Sequence, residues 1–240
     1  MFWNRSAKLR TVGLAVIAGS AVLTMAVSAA LAPPEEARVP GDTTTVSLPT
    51  QQPTAFQASS DVAYLLQWLT ATGNNDGASF LIVDKKNATA HAFDGQQHWL
   101  ASTPVLVGSA IGDDTVAGIG TRPLALVQAH ERTTPAGRFV AEPGVNAQGE
   151  AVVWVDYEAA VSMHSVRLAN ASEQRLERLA SLDAGRRRIS YGCVNFPGAF
   201  FTNHVLFVAA NRRLLVYVLP ETRSVDSVFG PARVLAGDRT

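Results

Sequence analysis

The stretch "RISYGCVNFP", Arg188 to Pro197, contains the only cysteine of this 240-residue chain. Cys193 follows a glycine and precedes "FPGAFFTNHVLFVAANR", a run whose composition predicts a helix. A thiol attacks as its thiolate, so a working cysteine needs a base or a positive environment beside it. A helix N-terminus favours nearby negative charge, and this reading sets Cys193 just ahead of one. Gly192 would let the backbone approach a substrate closely and let local N–H groups face an oxyanion. A lone cysteine also has two other readings, a buried inert thiol and one half of an intermolecular disulfide.

The base would be one of five histidines. His91 and His98 lie in alternating segments and read as structural or solvent-facing strand residues. His130 lies at a loop edge, and His204 falls inside the helix after the cysteine. His164 closes the apolar strand "AAVSMHSV", and a strand end is a position from which functional side chains project. The histidines show no paired ligand spacing and the cysteine has no partner, so no metal is expected.

These residues sit in a mainly β pattern with a few short helices. "SSDVAYLLQWLTATGNN" places Val62, Leu65, Leu66 and Leu69 at helical spacing, with Ser or Asp as cap and Gly73 as stop. Strands follow at Phe80–Val83, "TAHAF" and "HWLASTPVLVG", with turns at Lys86-Asn87 and Asp94-Gly95. "GDDTVAGIG" reads as a loop excursion, then "TPAGRFVAE" and "AVVWVDYEAAVSMHSV" resume strands rich in β-branched and aromatic residues. "ASEQRLERLASLDAG" predicts an amphipathic helix with Leu176, Leu179 and Leu182 inward. "RLLVYVLPE" closes as a strand, and the remainder carries little signal.

Residues 1–32 combine Arg5, Lys8 and Arg10 with an apolar run and Ala30-Leu31-Ala32. This reads as a signal peptide or an uncleaved N-terminal membrane anchor. Either one exports the rest, to the periplasm or cell envelope. Residues 33–60, rich in Pro, Thr and Gln, read as a flexible linker. Residues 61–222 read as one domain and 223–240 as a tail. Twenty basic and twenty acidic residues balance, so nothing points to nucleic acid.

"MHSV" followed by "SYGCVNFP" resembles the L,D-transpeptidase (YkuD-domain) family, marked by a histidine and a later Ser/Thr-x-Gly-Cys-aliphatic-Arg/Asn signature. "TTPAGRF", Thr133 to Phe139, resembles that family's Thr-Pro-x-Gly-x-Phe segment. The resemblance covers Ser79 to Tyr217 in the family's element order. It implies a YkuD β-sandwich catalytic domain with Cys193 as nucleophile and His164 as base. The carbonyl of Ser165 would orient that base. Ser190 would shape the cysteine loop, the Gly192 and Cys193 N–H groups would meet the oxyanion, and Asn195 would touch substrate.

Two departures stand out. Tyr191 occupies a position where the family most often has histidine, and a tyrosine carries no positive charge near neutral pH. His164 and Cys193 are also farther apart than usual, 29 positions (193 − 164), and the excess matches the helix around Glu173 to Asp183. That helix would wall the site and alter substrate choice. The implied activity is acyl transfer on peptidoglycan stem peptides, both donor and acceptor, without cofactor or metal, in cell wall biogenesis and cell shape. The alternatives are a peptidoglycan hydrolase on the same fold and a non-catalytic wall-binding domain.

Overall fold

A computed structural model of the chain describes residues 56–231. The leader or anchor read at 1–32 and nearly all of the linker lie outside them. Helix α1 (Ser60–Thr72) begins where Ser59 accepts the Val62 N–H through its side chain. It ends at Gly73, whose φ of 64° is the left-handed conformation that stops helices. Among the described residues no helix is long and apolar enough to cross a membrane.

Ten strands follow. They are β1 (Ser79–Asp84), β2 (Thr89–Phe93), β3 (Trp99–Pro104), β4 (Val107–Gly108), β5 (Gly137–Val145), β6 (Ala151–Asp156), β7 (Val161–Ser165), β8 (Arg188–Ser190), β9 (Val194–Phe196) and β10 (Leu214–Val218). Eight form one sheet in the order β3-β2-β1-β10-β5-β6-β7-β9, and β4 pairs with β8. The fold is therefore mainly β with short helices, as the sequence predicts.

Inside the sheet, flanked on both sides by further strands, lies the parallel pair β1–β10. Their sequences, "SFLIVD" and "LLVYV", are nearly all apolar because both faces are covered. Phe80, Ile82, Leu215 and Tyr217 pack on α1 on one face. Leu81, Val83, Leu214 and Val216 enter the larger core on the other. That larger core also joins Ala90, Ala92 and Ala101 from one limb of the sheet to Val153, Met163, Val194 and Phe196 from the other. The sheet thus curls until its two limbs share one core, which gives the sandwich. An isolated bridge between Leu106 and Asn195 and the parallel β4–β8 pair close the curl beside the cysteine loop.

Four expectations are corrected. The predicted helix at Ala171–Gly185 is confined to α2 (Arg175–Ala180). Gln174 takes a φ of 48°, and the Asn170 and Asp183 side chains each accept a local backbone N–H in the short turns on either side. Of the three leucines only Leu179 is buried, while Leu182 is 98% exposed. Second, Cys193 does not sit at a helix N-terminus. Strand β9 intervenes, and the helical segment, α3 (Gly198–Phe200), a π-wound Phe201–Leu206 and α4 (Phe207–Asn211), starts only after Pro197. Third, the packed body runs past residue 222, because α5 (Val225–Phe229) buries Val225 and sets Phe229 against Trp68 and Tyr217. Fourth, packing begins before residue 61, with the Phe56 ring stacked on Trp99 and edge-on to Phe93.

Candidate active site

The parallel register of β7 and β9 builds the site. Met163 pairs with Val194 and His164 with Asn195. Alternation then divides the side chains. Met163, Val194 and Phe196 point into the core, while Ser162, His164, Cys193 and Asn195 share the opposite face. That face lines a cleft of about 540 Å³, in which His164, Ser162, Ser190, Tyr191, Cys193 and Arg175 meet.

Cys193 is half-buried and unpaired. Its Sγ lies 3.4 Å from the Ser162 N–H and 3.6 Å from Ser162 Oγ. The thiol faces the Ala160 carbonyl at 3.7 Å. A backbone N–H aimed at sulfur is a partner a thiolate accepts well.

A tight turn presents the cysteine. Ser190, buried, accepts the Gly192 N–H through Oγ at 3.1 Å and donates to the Cys193 carbonyl at 2.6 Å. Ser190 therefore shapes the loop through its own hydroxyl. The Gly192 N–H, expected to face an oxyanion, is occupied by that hydroxyl, whereas the Cys193 N–H takes part in neither bond. Gly192 has a φ of 128°, and a Cβ there would lie 2.7 Å from the Thr133 carbonyl, so the turn admits only glycine without strain.

Thr134, from the Thr-Pro-x-Gly segment, braces this turn. Its Oγ1 accepts the Gly108 N–H at 2.9 Å and donates to the Gly192 carbonyl at 2.8 Å. Beneath it the fully buried Lys85 ammonium donates to the Thr134 carbonyl at 2.8 Å, to Gly112 at 2.6 Å and to Asp113 at 2.8 Å. Burial pushes the Asp113 carboxyl up, but bonds from Lys85, Thr222 and the Glu221 N–H outweigh it and hold the group well below the usual range. Tyr191 is part-exposed at the mouth, with the Arg132 guanidinium 4.1 Å above its ring. A cation therefore lies next to the position where Tyr191 itself offers none.

His164 is held at both ring nitrogens. Nδ1 lies 2.8 Å from the Ser165 carbonyl, and Nε2 lies 3.1 Å from Asn195 Nδ2. A carbonyl can only accept, so Nδ1 carries the hydrogen and Nε2 the lone pair. Burial lowers the pKa of the ring to about 4, helped by Arg167 and Arg175, although the Ser165 carbonyl opposes the shift. The imidazole is neutral at physiological pH. Among the described residues no hydrogen bond joins His164 to Cys193, and Nε2 is taken by Asn195.

Asn195 is fully buried. Its Oδ1 accepts from Arg175 Nη1 at 2.5 Å, and Arg175 Nε is paired with Glu173. In the sequence Arg175 is one of the charged residues interleaved with the leucines of "ASEQRLERLASLDAG". Nothing in its spacing signals a role in the site. Ser162 carries a signal, since a strand residue two positions before His164 shares its face. Among the other histidines, buried His91 bonds Ser102, exposed His98 pairs with Asp94, His130 is exposed, and His204 packs on Phe200. No cluster of His, Cys, Asp and Glu among the described residues is arranged to hold a metal.

No protein-family model and no curated protein matches the chain. Solved structures similar to it include the helical cell shape determining protein Pgp2 from Campylobacter jejuni, at 11% identity and a TM-score of 0.39, covering 69% of this chain and 59% of that one. An L,D-transpeptidase from Mycobacterium tuberculosis H37Rv is similar at 14% identity and a TM-score of 0.36, covering 59% of this chain and 57% of that one. The catalytic domain of the E. faecium L,D-transpeptidase is similar at 17% identity and a TM-score of 0.33, covering 60% of this chain and 98% of that domain. The chain spans less than two thirds of the length of the Pgp2 and M. tuberculosis proteins.

Proposed function

We propose that this chain is a cysteine-dependent acyltransferase acting on peptidoglycan stem peptides at the cell envelope, exported by its N-terminal segment and tethered there if that segment is retained. The observation that carries the reading is the β7–β9 register, which brings Cys193, Ser162 and His164 to one cleft face, with the buried Asn195 bonded to His164. The sequence motifs around Cys193 and His164 supply the substrate class.

In this reading His164 Nε2 takes the thiol proton, and the thiolate attacks the carbonyl carbon of the scissile amide. The oxyanion meets the Cys193 N–H. The C–N bond breaks, His164 returns its proton to the leaving D-amino acid, and a thioester remains on Sγ. An amine of a second stem then attacks the thioester, losing a proton to His164, and the thiolate leaves. Ser165 contributes through its carbonyl, which fixes the ring tautomer. Arg122, Arg167 and Arg175 line the cleft, paired with Glu131, Glu150 and Glu173 in turn, and these guanidinium groups suit a ligand bearing carboxylates. The chemistry uses no metal and no cofactor.

The test is incubation with a disaccharide-tetrapeptide, products read by mass spectrometry, with Cys193→Ala as control. A crosslinked dimer lacking one D-alanine, absent with the variant, supports the transferase. A tripeptide alone assigns a hydrolase. Unchanged substrate contradicts both and leaves a wall-binding domain.

A further inference from the structure

The base proposed above is capped. For Nε2 to accept the thiol proton its lone pair must be free, yet the Asn195 amide donates to it at 3.1 Å. An asparagine amide can turn over and present oxygen instead of nitrogen. Here it is fixed: Arg175 carries only donors, so the 2.5 Å contact from Nη1 requires Oδ1 on that side and Nδ2 toward His164. Glu173 in turn grips Arg175. Asn195 is fully buried under this arm, and Glu173 and Arg175 both come from the segment between β7 and β8 that lengthens the spacing from His164 to Cys193.

We propose that Arg175 and Asn195 are positioning residues that form a latch, holding His164 in a resting state from which it cannot deprotonate Cys193. The latch opens when a carboxylate of the incoming donor peptide takes the Arg175 guanidinium. The fork then leaves Oδ1, the Asn195 amide rotates, and Nε2 is released with its tautomer still fixed by Ser165. Arg175 already holds a carboxylate in the resting state, that of Glu173, so a second one is a chemically matched competitor. The proposal rests on His164 serving as base for Cys193.

The test uses the full chain and iodoacetamide, a neutral probe that reports thiolate without needing the latch ligand. Breaking the single hydrogen bond that caps Nε2 is expected to raise the alkylation rate of Cys193 about tenfold in Arg175→Met and in Asn195→Ala. The rise should vanish when His164→Ala is added to either. In ¹⁵N spectra of the histidine rings, Asn195→Ala should move the Nε2 resonance to that of a lone pair without a donor, while Nδ1 stays protonated. A general loosening of the fold would not produce that one-sided shift. Rates at or below wild type in both single variants overturn the latch. A raised rate in Arg175→Met or Asn195→Ala that persists when His164→Ala is added instead overturns the base assignment on which the latch depends.

Discussion

His164 and Asn195 stand opposite each other in the parallel register of β7 and β9, and the Asn195 amide lies 3.1 Å from His164 Nε2. With Nδ1 committed to the Ser165 carbonyl at 2.8 Å, the imidazole is neutral and its only lone pair is spoken for. The two hydrogen bonds fix the ring's resting tautomer, and its burial sets its response to pH.

The His164 pKa, lowered to about 4 by burial, lies below the ordinary imidazole value of 6.5. Between those two values the unfolded chain takes up a proton that the folded chain refuses. The contribution of His164 to stability is therefore complete above pH 6.5 and is lost as pH falls toward 4, by about 3 kcal/mol at most. Urea unfolding at pH 7 and pH 4.5 should show a smaller loss of stability in His164→Gln than in the wild type. Equal losses would contradict the assigned state. The base should also stay competent below pH 6, so the acid limb of the rate profile should lie below the usual histidine midpoint.

Burial lowers the pKa of Lys85, opposed by Asp113 and Glu221, and its ammonium donates to Asp113 and to the carbonyls of Gly112 and Thr134. Lys85→Met removes the buried cation bonded to Asp113 Oδ1 and leaves that carboxylate only the more distant Arg223, at 3.7 Å. The expected loss is about 3–5 kcal/mol, read as a lowered denaturation midpoint. Asp113, whose pKa is depressed, adds stability above the ordinary carboxylate range and loses it as pH falls below that range.

Gly192→Ala places a methyl 2.7 Å from the Thr133 carbonyl at a φ of 128°. The expected cost is about 1–3 kcal/mol of stability, with Cys193 alkylation altered as the turn shifts. Thr134→Val keeps the shape but leaves the Gly108 N–H without its acceptor and the Gly192 carbonyl without its donor, for about 1–3 kcal/mol. Thermal melts of the two variants measure both.

Much of this architecture was legible because its signals are local. The apolar runs of β1 and β10 announced strands, and Gly73 announced the end of α1. The cysteine turn and the His164 strand end were marked by residue type. Three features were not legible. The residues after Cys193 form β9 before any helix, because the register with β7, a long-range pairing, overrides the helical composition that follows. The stretch from Ala171 to Gly185 breaks into turns because Asn170 and Asp183 bond their own backbone, which helical periodicity cannot reveal. Arg175 reaches Asn195 only in three dimensions, so a residue that reads as solvated charge lies over the buried core of the site.

The most direct test of the central claim is intact-protein mass spectrometry of the chain mixed with a tetrapeptide stem donor and no acceptor. The account predicts an adduct equal to the donor less one D-alanine, mapped to Cys193, missing in Cys193→Ala and slowed in His164→Ala. Release of D-alanine with Cys193 unmodified, or an adduct that persists in Cys193→Ala, would contradict it.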